Sequence, residues 1–351
     1  MASRLTFYLL LQFISFGITG QDIQFSQYNA IGAYYNPAAS GFFGGNFQVG
    51  SIYRNQWVGL QDQPFVQLAI SGEIKFLNGD GLINKDFIGA GVYFATDRSQ
   101  LFDWNKNEMV LHLAYHKLLD KRSESYLSGG LSFGLVQRSV NYDNLYFEDQ
   151  FDGLDAYSRP TGELLPANIH AVPVLKIGLR YQTSFSRSWG LELGLSADKL
   201  LAADHSFFNG YDNPDYTGTR EAPAFRNFVA IANLRYAYTR VDALFPRIYF
   251  FAQGPHRLLQ TGVHYRKLLP QKNATAIYAG LSGRWSNRES SLEPVDLGML
   301  LGFEINQVTV GLQYDIGIRD ASKYNSPTHS FELSLRIAGD YDRRRQTTTA
   351  F

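Results

Sequence analysis

One polar segment concentrates acidic side chains and is the first place where the sequence could support metal chemistry. Residues 141–157 read NYDNLYFEDQFDGLDAY and carry the carboxylates of Asp143, Glu148, Asp149, Asp152 and Asp155. Calcium takes about six to eight oxygen ligands, and this segment could supply several of them. The segment lacks the D-x-D-x-D-G spacing of a preformed calcium loop, which favours a solvated acidic surface. The sequence therefore predicts no metal site and no cofactor.

A second long polar segment, residues 200–225, mixes charged and aromatic side chains. Such an adaptable surface is suited to protein recognition. Its candidate residues are His205, Asp212, Asp215, Tyr216 and Arg220.

Three histidines fall on the polar faces of separate predicted strands: His112, His116 and His264. A satisfied polar interior explains them better than a metal site. No G-x-S-x-G, H-E-x-x-H, P-loop or paired G-x-G-x-x-G context is present. The sequence thus predicts no catalytic residues and a protein that is not an enzyme.

Over most of the chain, apolar and polar residues alternate with a period of two, and this pattern indicates the elements that position these residues. Leu191, Leu193 and Leu195, for example, alternate with Glu192 and Gly194. Period-two alternation is typical of strands with one apolar face. Because the other face is polar, charged or glycine, the pattern predicts an all-β fold, a transmembrane antiparallel β-barrel of about 14 strands.

The order of short and long gaps between predicted strands indicates a topology. The long gaps follow the fifth and seventh strands, as expected if the chain enters from the periplasm and places long loops outside. An even number of strands then returns the C-terminus to the periplasm, so both termini are predicted on that side. The predicted strands are 46–57, 65–76, 87–96, 108–118, 125–139, 171–183, 189–199, 226–239, 247–253, 257–267, 275–285, 294–304, 307–318 and 329–338.

The N-terminus reads as an export signal. Arg4 precedes an apolar stretch, residues 5–18, that is shorter than the roughly 20 residues of a spanning helix. The chain has no Cys and a formal net charge of +0, which excludes disulfides and argues against a nucleic-acid partner.

Four regions follow from these patterns. Residues 1–20 are the predicted signal peptide and residues 21–45 a periplasmic or lumen-associated segment without a sustained period. Residues 46–338 are the predicted outer-membrane barrel, and residues 339–351 a C-terminal tail.

Several motifs carry a family resemblance. They are QDIQFSQYNAIGAYYNPAASG (residues 21–41), YRNQW (53–57), LSADKLLAADHSFF (195–208) and SPTHSFELSLRIAG (326–339). Together they resemble the PorP/SprF family of outer-membrane proteins, which is associated with type IX secretion and gliding motility. Family members usually finish close to an aromatic on the last strand, whereas this chain continues for a dozen residues beyond that strand.

The resemblance implies an integral outer-membrane protein that contacts lipid and binds or anchors a secreted, adhesin-like cell-surface protein through its type IX sorting domain. Other type IX secretion components are implied as further partners. The residues that match the family motifs are Gln24, Phe25, Gln27, Tyr28, Asn36, Pro37, Tyr53, Arg54, Gln56 and Trp57.

Two alternatives stay open at this level. YRNQW is equally consistent with a structural lumen arginine beside an interfacial tryptophan, and the barrel could be a pore or substrate-specific channel. Large charged side chains on the predicted lumen face favour a filled lumen instead. They are Glu73, Lys75, Lys176, Arg180, Glu192 and Arg336.

Overall fold

The computed structural model describes residues 22–58, 65–77, 85–99, 103–143, 145–201, 203, 206–207, 225–269, 275–288, 291–319 and 328–340. The predicted signal peptide lies outside these ranges, as do residues 341–351 of the predicted tail. The candidate residues of the second long segment also lie outside them: His205, Asp212, Asp215, Tyr216 and Arg220.

Fourteen strands close into one antiparallel barrel, as the alternation predicts. Each strand pairs with its sequence neighbours, and β1 also pairs with β14 to close the sheet. The strands are β1 (Phe47–Val58), β2 (Phe65–Leu77), β3 (Phe87–Ser99), β4 (Trp104–Asp120), β5 (Ser125–Val140), β6 (Ile169–Ser184), β7 (Trp189–Asp198), β8 (Asn227–Ala237), β9 (Asp242–Gln253), β10 (His256–Leu269), β11 (Thr275–Arg288), β12 (Ser291–Ile305), β13 (Val308–Gly317) and β14 (His329–Gly339).

The two faces of the wall meet different surroundings, and β4 shows the contrast. Met109, Leu111 and Leu113 are 55–62% exposed on the outer face. Their neighbours Val110 and His112 point into the lumen and are buried. An apolar exterior around a polar interior is the arrangement of a barrel that sits in lipid.

Helical structure in the described residues is confined to single turns. One α-helix, α1 (Gly32–Tyr35), lies between 3₁₀ turns at Tyr28–Ile31 and Pro37–Ala39, and a further 3₁₀ turn covers Glu148–Gln150. Among the described residues, no helix has the length and apolar character to cross a membrane.

Strand limits differ most from the prediction at β4 and β9. β4 extends beyond the predicted 108–118 in both directions. β9 begins at Asp242, not at residue 247. The prediction missed this start because residues 243–246 are apolar or small on both faces and show no alternation.

The barrel has two distinct ends. At one, called here the long-loop end, β5 and β6 are joined by residues 141–168 and β7 and β8 by residues 199–226. At the other, the short-turn end, four of the connections are fully described and have two to four residues: 121–124, 185–188, 238–241 and 306–307. β1 begins and β14 ends at the short-turn end.

Candidate functional site

Residues 22–46, called here the lumen segment, lie inside the barrel. The side chains of Ile23, Phe25 and Ile31 are each 1% exposed. They belong to the same buried cluster as Ile52 of β1 and Tyr249 of β9, whose side chains come from the wall. The hydrophobic core of this protein is therefore in the lumen, between the segment and the strands.

Aromatic rings connect the segment to the wall. Tyr28 stacks on Tyr249 with ring centroids 5.0 Å apart, and Tyr35 meets Tyr249 edge-on at 5.3 Å. Tyr34 makes an edge contact with Tyr93 of β3 at 5.1 Å. Such pairs contribute about 0.5–1.5 kcal/mol each beyond their buried area. Contacts to β3 and β9 hold the segment between well-separated parts of the wall.

Asp22 marks the long-loop end of the segment. Its carboxylate forms ion pairs of 2.8 Å with Lys106, near the start of β4, and of 2.6 Å with Lys199, just after β7. It also accepts hydrogen bonds from Asn227 at the start of β8 and Gln253 at the end of β9. All these groups lie at the long-loop end of their strands.

The two ends of the described chain therefore lie at opposite ends of the barrel. Asp22 is at the long-loop end, whereas Gly339, which accepts a hydrogen bond from the backbone N–H of Asn46, is at the short-turn end. The prediction that both termini share the periplasmic side concerns chain ends that lie outside the described residues, and it stays a prediction. Strand parity fixes only where β1 begins and β14 ends, and the lumen segment runs the length of the barrel before β1.

Arg54 of the YRNQW motif lies at the centre of the segment's polar contacts. Its side chain is 1% exposed and forms an ion pair of 2.6 Å with Glu332 of β14. Its guanidinium also donates to the carbonyl of Gln24 at 3.0 Å. Glu332 in turn accepts the backbone N–H groups of Ser26 at 2.6 Å and Gln27 at 3.0 Å. One charge pair in the wall thus holds the family's QFSQY stretch.

The ion pair continues into a network across neighbouring strands. Asp315 of β13 lies 3.7 Å from Arg54 and 3.9 Å from Arg284 of β11, which also lies 3.6 Å from Asp296 of β12. The hydroxyl of Ser26 contacts both Asp315 and Arg284. Buried charges are tolerated only when paired and hydrogen-bonded, a condition that this network meets.

The other residues of the QFSQY stretch, residues 24–28, form hydrogen bonds within the lumen segment or with the wall. Gln24 accepts a hydrogen bond from the Tyr249 hydroxyl at 2.6 Å, and the backbone N–H of Phe25 donates to the Tyr35 hydroxyl at 2.8 Å. Gln27 accepts from Ser334 at 2.7 Å. The hydroxyl of Tyr28 donates to Asn233 of β8 at 3.0 Å.

The Asn36–Pro37 turn fits against glycines in the wall. The Asn36 side chain accepts the Ala38 N–H at 2.9 Å and donates to the carbonyl of Leu179 at 3.0 Å. A Cβ at Gly178 would overlap Asn36, and one at Gly130 would overlap the Pro37 backbone. The turn therefore requires wall residues without side chains.

At the short-turn end, polar wall residues bind the last part of the segment. Glu73 accepts the N–H of Gly41 at 2.9 Å, and the Lys75 ammonium donates to the carbonyl of Phe43. His116 lies 2.7 Å from the carbonyl of Ser40. A satisfied polar interior accounts for this histidine.

The remaining charged residues predicted for the lumen have different surroundings. Lys176 donates to the carbonyl of Tyr34 at 2.6 Å and pairs with Asp198 at 3.3 Å. Arg180 pairs with Glu192 at 2.6 Å and stacks over the Phe42 ring at 3.8 Å from its centroid. Arg336 lines a cavity at the short-turn end and is half-buried.

The other residues of YRNQW do not join Arg54. Tyr53 alternates with Arg54 and falls on the opposite face, and Gln56 follows Arg54 on the lumen side near the end of β1. Trp57 has a φ of 66°, is 36% exposed and contacts the ring of Phe65 edge-on at 5.2 Å. The structure thus separates a buried arginine from an exposed tryptophan within one motif.

The acidic segment between β5 and β6 uses its carboxylates within the loop. Asp152 accepts backbone N–H groups from Leu154 and Asp155, and Asp149 accepts from the hydroxyl of Thr161. Within the part of the chain that the structure describes, no group of three or more His, Cys, Asp or Glu residues could hold a metal ion.

Sequence reasoning missed the charged network around Arg54. Glu332, Asp315 and Arg284 all fall on the polar face of alternating strands, which was the available signal. The alternation along a strand assigns a side chain to the lumen face. It does not identify which charged side chain on another strand will form an ion pair with it.

The sequence as a whole matches one family model. The model of the type IX secretion system membrane protein PorP/SprF covers residues 18–337. The chain belongs to the PorP/SprF family. The buried Arg54, its partner Glu332 and the lumen segment are thus features of a PorP/SprF protein. None of the curated protein sequences compared with the chain matches it.

Solved structures similar to this PorP/SprF barrel share low sequence identity with it. The CymD monoaromatic hydrocarbon channel has 12% identity and a TM-score of 0.46, over 89% of this chain and 93% of that one. The Pseudomonas putida toluene transporter TodX has 11% identity and a TM-score of 0.45, over 91% and 94%. CdiB from Acinetobacter baumannii has 11% identity and a TM-score of 0.42, over 83% and 60%.

Proposed function

We propose that this PorP/SprF protein is a closed outer-membrane anchor that binds a secreted, adhesin-like cell-surface protein through its type IX sorting domain. In this proposal the short-turn end faces the periplasm and the long loops face the cell exterior. The observation that carries the proposal is the filled lumen. Because residues 22–46 occupy it, the partner has the loop surface of the long-loop end available for binding. No catalytic step is part of this function.

The loop between β5 and β6 has the character of a binding surface. Leu154 is 85% exposed, Leu164 73% and Tyr146 70%, and all three lie between the end of β5 and the start of β6. Exposed apolar side chains on a loop outside the lipid mark a site of protein contact. Association with other secretion components and a contribution to gliding motility belong to the same proposal.

The loop makes a specific prediction about surface retention. Deleting most of Asp143–Asp155 is expected to leave the barrel inserted, because exposed loops tolerate deletion, and to reduce retention of the secreted partner. The measurement is the surface protease sensitivity of secreted proteins in cells with matched barrel levels.

A combined Tyr146→Ser, Leu154→Ser and Leu164→Ser variant should reduce retention in the same way. The matched control is Glu163→Ser, which changes an exposed polar neighbour and should leave retention intact. A normal surface profile in both the deletion and the triple variant would exclude this loop as the capture surface.

The filled lumen also predicts the electrical behaviour of the protein. The intact barrel in a planar bilayer is expected to show almost no steady conductance, because side chains and backbone of residues 22–46 occupy its cross-section. Removing residues 22–40 should produce open-channel currents, provided that the shift in gel mobility between boiled and unboiled samples shows a folded barrel. Large stable currents from the intact protein would instead support the alternative function of a pore or channel.

A further inference from the structure

A cavity of about 380 Å³ lies beneath the lumen segment at the short-turn end. Its walls come from the segment on one side and from β1, β2 and β6 to β14 on the other. The turns at residues 238–241 and 306–307 contribute to its rim. The cavity is therefore reached from the end of the barrel opposite the long loops.

Arginine dominates the charged lining of this cavity. Arg180 and Arg266 are neutralised by Glu192 and Glu304, at 2.6 Å and 3.2 Å. Arg247 and Arg336 form no ion pair with any residue that the structure describes. The guanidinium of Arg247 lies 5.8 Å from the centroid of the Phe245 ring.

This arrangement contrasts with the rest of the lumen. Arg54 and Arg284 have carboxylate partners among the strands, and Lys106 pairs with both Asp22 and Glu108. A guanidinium inside a barrel loses much of its hydration, and the cost is offset when an anion meets it. Arg54 and Arg284 thus have carboxylate partners within 4 Å, whereas Arg247 and Arg336 at the short-turn cavity have none that close among the described residues.

We propose that this cavity binds a carboxylate group carried by a peptide, with Arg247 and Arg336 as the cationic ligands. The planar guanidinium matches the two oxygens of a carboxylate. Asn233 and Gln307 line the same space and offer amide groups to the adjoining peptide backbone. Glu73 and Glu304 also line it, and their negative charge disfavours a doubly charged phosphate. The site does not depend on capture of a secreted protein at the other end of the barrel.

Binding can be measured on the purified full-length barrel in detergent by isothermal titration. The probes are an N-acetylated Asn-Asp-Gly amide with a single side-chain carboxylate, acetate as a small free carboxylate, the uncharged N-acetylated Asn-Asn-Gly amide, and inorganic phosphate. The acidic peptide should bind, acetate should bind more weakly because it lacks backbone amides, and binding should weaken with added salt. The uncharged peptide should not bind.

Arg247→Gln and Arg336→Gln should each weaken binding of the acidic peptide about tenfold or more, because each removes a charge-assisted hydrogen-bond donor. Arg122→Gln is the control: it removes the same charge from the exposed turn at residues 121–124, outside the cavity, and should leave the affinity unchanged. Gel mobility before and after boiling checks that each variant is folded. Equal affinity in all three variants, equal binding of the uncharged peptide, or binding of phosphate alone would each overturn the proposal.

Discussion

Replacing Arg54 with methionine is expected to lower the free energy of unfolding of the barrel by about 3–5 kcal/mol. Glu332 would then keep its negative charge in a site that is 0% exposed, without the guanidinium 2.6 Å away. The backbone N–H groups of Ser26 and Gln27 would still donate to it, but they carry no full charge. The measurement is urea unfolding followed by loss of the unboiled, fast-migrating gel band.

The same substitution should also loosen the lumen segment and raise the conductance above that of the intact barrel. A second variant, Arg54→Met combined with Glu332→Gln, should recover much of the lost stability, because it removes the uncompensated charge. The control is Arg122→Met, at an exposed turn position. Its free energy of unfolding should change by no more than about 0.5 kcal/mol, as is usual for surface substitutions. If Arg54→Met and Arg122→Met were equally stable, the ion pair would not hold the segment.

These variants also separate the two readings of YRNQW. A structural role for Arg54 predicts reduced barrel abundance in the membrane. A role in recognition predicts normal abundance with loss of the secreted partner. Because Trp57 is exposed and does not contact the network, Trp57→Ala tests recognition without disturbing Glu332.

A charge placed on the outer face of the barrel should lower its stability nearly as much as Arg54→Met does. Leu111→Arg is expected to destabilise the inserted barrel by about 2–4 kcal/mol, since Leu111 is 61% exposed near the middle of β4, where lipid surrounds the wall. The expected result is less folded barrel in the membrane fraction and an earlier transition in urea.

Leu154→Arg is the matched control for this change. Leu154 is 85% exposed, but it lies in the loop between β5 and β6 and not on a strand. The same substitution there should leave membrane insertion unchanged. Equal loss from both variants would contradict a lipid-facing outer surface and favour a general intolerance of arginine.

The barrel itself was predictable from the sequence because lipid and lumen impose opposite preferences on alternate residues. The prediction weakened at β9, and the structure shows why. Tyr249 and Phe251 face the lumen but pack against the aromatic lumen segment, so both faces of this strand are apolar. Alternation fails where the lumen holds an apolar core.

The lumen segment was much less predictable. Its single-turn helices lack the length for a helical pattern, and its position depends on partners far away in sequence, such as Glu332 for Ser26. The sequence motif identified the residues of the segment. The alternation along the strands identified many of the wall residues that contact it. Neither carries information on which end of the barrel Asp22 reaches.

The lumen segment also acts as an internal brace. Asp22 connects β4 to β8 and β9, and the contacts of Ser26 reach β11, β13 and β14. Flattening the barrel into an ellipse would stretch or break these bonds, so the cross-section should stay near its present shape. The strand ends that carry the loops at the long-loop end then stay at constant distances from one another. A partner that spans more than one of them would lose less conformational entropy on binding than it would on a deformable barrel.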